Sequence, residues 1–207
     1  MKRIIIAFAC LVCTASPALA LGGELPAPRT EGGLSVFEAL EKRSSAPGRD
    51  FPSGAISDEE LATLLWAATG RNRQDKGWTV PMAMGTSPYC SVYVVAAEGA
   101  YRYEWKEHSL RKITSDDITK KIAKQEFIGA APYILIFVAD TNATDKLGSA
   151  GLGEILVGAM TQNVYLAAQA LDIGGRYVAS INADEIRTAL SLEKKQVPIC
   201  VMPIGHF

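Results

Sequence analysis

Two histidines are all that the 207 residues contain, and two of the four cysteines fall within the first thirteen positions. Cys90, Cys200, His108 and His206 are left, at spacings that suit no metal site, so no metal is expected. The chain has no basic run and no array interleaving basic with aromatic residues, which argues against nucleic acid as a partner. No GxSxG or GxGxxG stands at a strand–helix junction, so neither hydrolase nor Rossmann chemistry has a foothold. No serine has a Ser/His/Asp neighbourhood, and no internal repeat is present.

What is there begins with a leader. Lys2-Arg3, an apolar run over residues 4–13 and the small-x-small triplet Ala18-Leu19-Ala20 have the pattern of a secretory signal peptide over residues 1–20. The apolar run is too short to span a bilayer comfortably. Lipidation at Cys10 or Cys13 fits less well, because Val12 precedes Cys13 where a small residue is needed and Cys10 lies too near the start. An exported chain, periplasmic or secreted, with no membrane association after cleavage, is therefore expected. The leader holds two of the 21 basic residues and none of the 22 acidic ones, so the mature chain carries a net charge of −3. Its 187 residues suffice for one domain with a core of its own. An oxidising compartment would permit a Cys90–Cys200 bridge, but two buried free thiols suit the same apolar surroundings.

Residues 21–33 are rich in Pro and Gly and read as an extended tether, followed by a domain over 34–207. Residues 34–45 (LSVFEALEKRSS) pattern as an amphipathic helix with Val36, Phe37 and Leu40 on one side. Residues 57–69 (SDEELATLLWAAT) form a second, opened by a capping box of Ser57 and Glu60. Strands are expected at 91–97 and 99–105, joined as a hairpin and closed by residues 107–110, with His108 a surface turn residue. A charged helix is expected at 115–124. Residues 132–140 (PYILIFVAD) read as a central strand buried on both faces, and 141–153 as a polar loop. A long apolar helix starts at Gly153, rich in small residues and carrying the amides Gln162 and Asn163, and it stops at Gly174-Gly175, where glycine supplies left-handed geometry. A strand at 177–181, a short helix at 184–190 and a strand at 197–204 complete an α+β pattern.

Three segments in order, LLWAATGRNR (64–73), WTVPMAMG (78–85) and the helix with Gln162-Asn163, resemble the flavin-dependent nitroreductase family, whose members read LLWAA-G-x-NR and then RT-x-PSA. The resemblance extends over nearly all of residues 34–206. It implies a mostly antiparallel sheet of four or five strands wrapped in helices. It also implies a homodimer with FMN in a groove between subunits, and an oxidoreductase passing hydride or electrons from a reduced donor, NAD(P)H or another, to a small electron-poor acceptor. Export favours a donor other than a reduced nicotinamide, or reaction with O₂. A flavin- or ligand-binding protein without turnover is the alternative on the same scaffold.

The same resemblance assigns roles. Arg43, Ser44 and Ser45, with Arg49, match the basic-x-Ser element that holds the phosphate and ribityl chain, as guanidinium forks suit phosphate oxygens. Pro81, Met82, Ala83, Met84 and Gly85 match the segment along the ring, with Met82 at a usual Ser and Gly85 where an Asn is common; Asn72 could replace that amide. Gln162 and Asn163 match the family's QN helix. Ala179 and Ser180 match the backbone that approaches flavin N5, and Glu154 and Gly158 lie on turns lining the pocket. His206 ends the closing strand, just before the point where many relatives aim a Lys or Arg at the phosphate, and would have to substitute for that cation. No catalytic acid or base is expected.

Overall fold

The computed structural model describes residues 21–73, 77–83, 87–148 and 151–207. The leader, Met84 and Gly85 lie outside the described residues.

Residues 90–140 supply the middle of the molecule because their β-branched and aromatic runs fit a pleated surface buried on both sides. The strands are β1 (Gly23–Glu24), β2 (Cys90–Ala96), β3 (Gly99–Glu104), β4 (Ser109–Thr114), β5 (Tyr133–Asp140), β6 (Ile173–Gly175) and β7 (Gln196–His206). They form one antiparallel sheet in the order β1-β4-β3-β2-β5-β7-β6. Five helices accompany it among the described residues: α1 (Val36–Lys42), α2 (Asp58–Thr69), α3 (Thr141–Asp145), α4 (Leu152–Ala170) and α5 (Ala183–Ala189). The class is α+β, as expected, and β1, β4 and β6 extend the sheet at its edges beyond four or five strands.

Each face of the sheet has its own core. On one, Leu61, Leu64 and Leu65 of α2 and Leu156, Met160 and Val164 of α4 pack against Val92, Val94, Leu135 and Phe137. On the other, Ile118, Ile122 and Ile128 with Ile186 and Leu190 cover Tyr93, Val95, Ile134, Ile136 and Val201. The close approach of α4 to β5 requires Gly153, where an added Cβ would lie 2.6 Å from Ala139 Cβ.

Several elements differ from expectation for local reasons. Residues 115–124 are turns rather than a helix. Thr114 Oγ1 accepts from Asp116 N–H, and Asp117 Oδ1 accepts from both the N–H and the hydroxyl of Thr119, bonds that compete with a helical ladder. Residues 177–181 reduce to two isolated bridges, Val178 to Val201 and Ile181 to Ala123. The double glycine does not end α4. The left-handed residue there is Asp172, at φ 59°, and Gly174 and Gly175 lie in β6. A Cβ on Gly174 would meet Pro52 at 2.4 Å, and one on Gly175 would meet Met202 at 2.7 Å. Residues 141–145, expected as loop, make the short α3 with Asp140 as N-cap.

The tether is fastened. β1 pairs with β4, and Leu25 N–H donates to His108 O at 3.0 Å. His108 is half-buried rather than a surface turn residue, and burial lowers its pKa from the ordinary 6.5. The neutral ring donates from Nε2 to Pro26 O at 2.9 Å and faces the Tyr103 hydroxyl with Nδ1 at 2.8 Å. Cys90 and Cys200 are buried free thiols, each raised to about 12 by burial.

Candidate functional site

α4 is the spine on which two groups of expected site residues converge. The first forms where α1 ends. Arg43 leaves the helix with its N–H still on Ala39 O, and the chain runs on extended. Ala46 N–H then donates to Gly175 O at 2.8 Å, and Arg176 Nη1 donates back to Ala46 O at 2.9 Å. Between these strands of chain stands Tyr165 of α4. Its hydroxyl accepts from Tyr177 N–H at 2.7 Å and lies 2.9 Å from Ser45 Oγ, while the Arg43 guanidinium sits 5.2 Å from its ring centroid. Either hydroxyl can donate in the Ser45–Tyr165 contact, because the Tyr165 oxygen can accept from Tyr177 N–H and from Ser45 at once.

The end of α1 and residues 175–177 are thus joined through the Tyr165 phenol and the Ala46 backbone, two residues short of Ala179. Tyr165 and Arg176 were not among the expected site residues. A lone tyrosine on a helix of small residues and a cation directly after two glycines were the available signals. Ser44 and Arg49 are exposed and flank this group, and no bond to another described residue fixes their side chains.

The second group gathers two residues earlier on α4. Asn163 Nδ2 donates to Ala67 O at 3.1 Å and to Thr79 O at 2.9 Å, so the amide clamps the end of α2 to the segment entering Pro81. Both of its N–H groups are thereby used in the protein, while Gln162, one residue earlier, faces out. Met82 and Ala83 pack on the core and Pro81 is exposed. Asn72 is exposed in the loop that Arg71 and Trp78 close by a bridge. There the Arg71 guanidinium stands 5.4 Å from each of the Trp78 and Trp105 ring centroids.

Ala179 and Ser180 are exposed just past Val178. Among the described residues nothing accepts from either N–H group, and Gln125 Nε2 donates to the Ser180 hydroxyl. A cavity of about 490 Å³ opens beside this contact, bordered by Lys120, Lys124, Gln125 and Glu126. Glu154 and Gly158 lie on the outer side of α4, with open space at the Gly158 Cα.

His206 is not brought to Arg43. Its Nε2 meets Glu60 Oε1 and its Nδ1 meets Asp172 O, both at 3.1 Å, and its backbone bridges Gly54. The ring is occupied in fastening β7 to the start of α2. Glu60 is held below its ordinary pKa: desolvation raises it, but hydrogen bonds from Ser57 and His206 together lower it further.

A seven-stranded antiparallel sheet backed by a long central helix, with a cation–hydroxyl cluster at the end of α1, defines an α+β scaffold. Comparison with known proteins gives it a family. The nitroreductase family model matches residues 40–206, and the chain belongs to the nitroreductase family. MJ1384, a nitroreductase homologue of Methanocaldococcus jannaschii, is 34% identical over 185 residues, covering 84% of this chain and 91% of that protein. The crystal structure of a nitroreductase homologue from Ralstonia eutropha JMP134 matches at TM-score 0.82 and 29% identity, with 90% of each chain covered. A homologue from Desulfovibrio desulfuricans, solved in complex with FMN, shares the fold at TM-score 0.61 and 22% identity, with 84% of this chain and 86% of that one covered.

Proposed function

We propose that this protein is an exported FMN-dependent oxidoreductase that passes hydride or electrons from a reduced donor to a small electron-poor acceptor, such as a nitroaromatic, quinone or enone. The observation that carries the reading is the meeting of Arg43, Ser45 and Tyr177 at the Tyr165 side chain.

The donor set fits FMN. A phosphate needs a fixed cation free of competing carboxylates, and among the described residues no carboxylate forms an ion pair with Arg43. Stacking on the Tyr165 ring holds the guanidinium in place, and the exposed Ser45 hydroxyl stands beside it. Ala179 and Ser180 offer backbone N–H groups for the ring nitrogen that accepts hydride. When bound, FMN supplies the relay of hydride or electrons between donor and acceptor. Around it, Pro81, Met82 and Ala83, held by the Asn163 clamp, would form a wall that limits water.

α1 exposes Val36, Phe37 and Leu40 together, and Ile155 of α4 is exposed as well. An apolar face of this kind supports a homodimer in which a second copy covers it and closes the groove. The leader over residues 1–20 supports export and, with it, a donor other than a reduced nicotinamide. Met82 favours a second reading, a flavin-binding protein without turnover, because it turns into the core where relatives present a hydroxyl; a bound flavin that no donor reduces would select that reading.

Arg43→Ala removes a charge-assisted phosphate contact and should weaken FMN binding by about 1.5–3 kcal/mol, read by fluorescence titration. Unchanged affinity would take Arg43 out of the site.

A further inference from the structure

On the face of the sheet away from α4, a second cavity of about 370 Å³ lies between β2, β3 and β4 and the end of α5. Arg102, Arg111 and Lys112 border it with Tyr93 and Ser191, against one carboxylate, Glu193. Its charge comes from an arrangement that a sheet normally avoids. Arg102 stands directly opposite Arg111 in the β3–β4 register and opposite Tyr93 in the β2–β3 register. Like charges directly opposed across antiparallel strands are destabilising.

The two arginines are not compensated alike. Arg111 is exposed and donates from Nε to Glu104 Oε1 at 2.7 Å. Arg102 is half-buried and forms no ion pair among the described residues. Its Nη2 donates to Ser91 Oγ at 3.2 Å, while its Nε is buried without an acceptor. A buried charged donor left unmatched is costly, and native proteins seldom keep one without a use. At the cavity wall Ser191 also holds a left-handed backbone, at φ 52°, where a glycine would ordinarily end the helix. Two guanidinium groups directly opposed across neighbouring strands and bordering one cavity fit the oxygens of a single anion.

We propose that this cavity binds a compact oxyanion, the phosphate or carboxylate group of a small molecule, with Arg102 as the principal ligand and Arg111 as its partner. The site is separate from Arg43 and stands on the opposite core of the sheet. Neutralising the Arg102–Arg111 pair makes the anion a stabilising element of β3 and β4.

Calorimetric titration of the protein with inorganic phosphate, and separately with malonate, at ionic strength balanced by sodium chloride tests this. One saturable site is expected for the wild type. It should persist in Arg43→Ala, weaken at least about tenfold in Arg102→Gln and weaken severalfold in Arg111→Gln. The tighter-binding of the two anions identifies the headgroup chemistry. Absence of saturable binding by either anion would overturn the proposal, as would binding lost in Arg43→Ala or unchanged in Arg111→Gln. Arg111 is exposed, so that variant decides the question even should Arg102→Gln not fold.

Discussion

α1 and α2 begin with the same instruction and end in different places. Each opens on a capping box: Ser35 with Glu38, and Ser57 with Glu60, each serine oxygen accepting from the glutamate N–H and each carboxylate from the serine N–H. Both carry an amphipathic stripe. In α2 the stripe is the core, with Leu61, Leu64 and Leu65 fully buried. In α1 only Ala39 is buried, and Phe37 is 79% exposed. Capping and periodicity therefore decide where a helix starts and which side is apolar, while the surface that receives that side is a separate matter. For α2 the receiving surface lies within the chain. For α1 the proposed receiving surface is a second copy of the chain.

The largest expected effects separate the two stripes. Leu64→Ala should cost about 2–5 kcal/mol in urea unfolding, since a fully enclosed side chain leaves both a transfer loss and a cavity. Phe37→Asp should leave the stability of the dilute chain within about 0.5 kcal/mol, as for surface positions generally. It should instead convert a dimer to a monomer in sedimentation velocity. A wild type that is monomeric at all concentrations would break the comparison.

A smaller effect separates the caps. Ser57→Ala should lower global stability by about 1 kcal/mol, because α2 cannot fray without opening the core. Ser35→Ala should loosen α1 locally, visible as faster amide exchange over residues 36–40, with the global unfolding midpoint unmoved. Equal shifts in that midpoint would show that α1 is as integral to the monomer as α2.

The smallest effect is the response to acid. Glu38 and Glu60 are both held below the ordinary carboxylate value of 4.5. A lowered folded-state pKa gives stability that is present above 4.5 and lost as the pH falls through the lower folded value. Glu60, partly buried and bonded to His206, should pass that loss to global stability below pH 4.5, and Glu60→Gln should flatten that part of the profile. Glu38 is fully exposed, so Glu38→Gln should leave the profile unchanged.

Much of the fold was legible because it is written locally. The capping box of α2, the apolar run of β5 and the alternation in β2 and β3 each stand within a dozen residues. Residues 115–124 were misread because their charges pattern as a helix while Asp117 and Thr114 bind nearby backbone instead. β4 escaped notice because its turn rests on His108 in a left-handed conformation, at φ 47°, which no glycine or asparagine announces. The end of α4 was assigned to two glycines when Asp172 performs it.

The site was legible in its motifs and obscure in its joints. Arg43 and Ser45 could be read from the basic-x-Ser element and stand together at the end of α1. Tyr165 and Arg176 become visible only when segments more than a hundred residues apart meet, as in the bond between Ser45 and Tyr165. Asn163 was identified, but its amide serves to clamp Ala67 and Thr79. His206 was expected only as a substitute for the terminal cation of relatives, and its ring is committed to Glu60 and Asp172.

The flavin assignment is tested most directly by the visible absorption spectrum of the purified protein after incubation with FMN and removal of free flavin. Retained flavin bands, diminished in Arg43→Ala, are the predicted result. A colourless wild-type protein would contradict it.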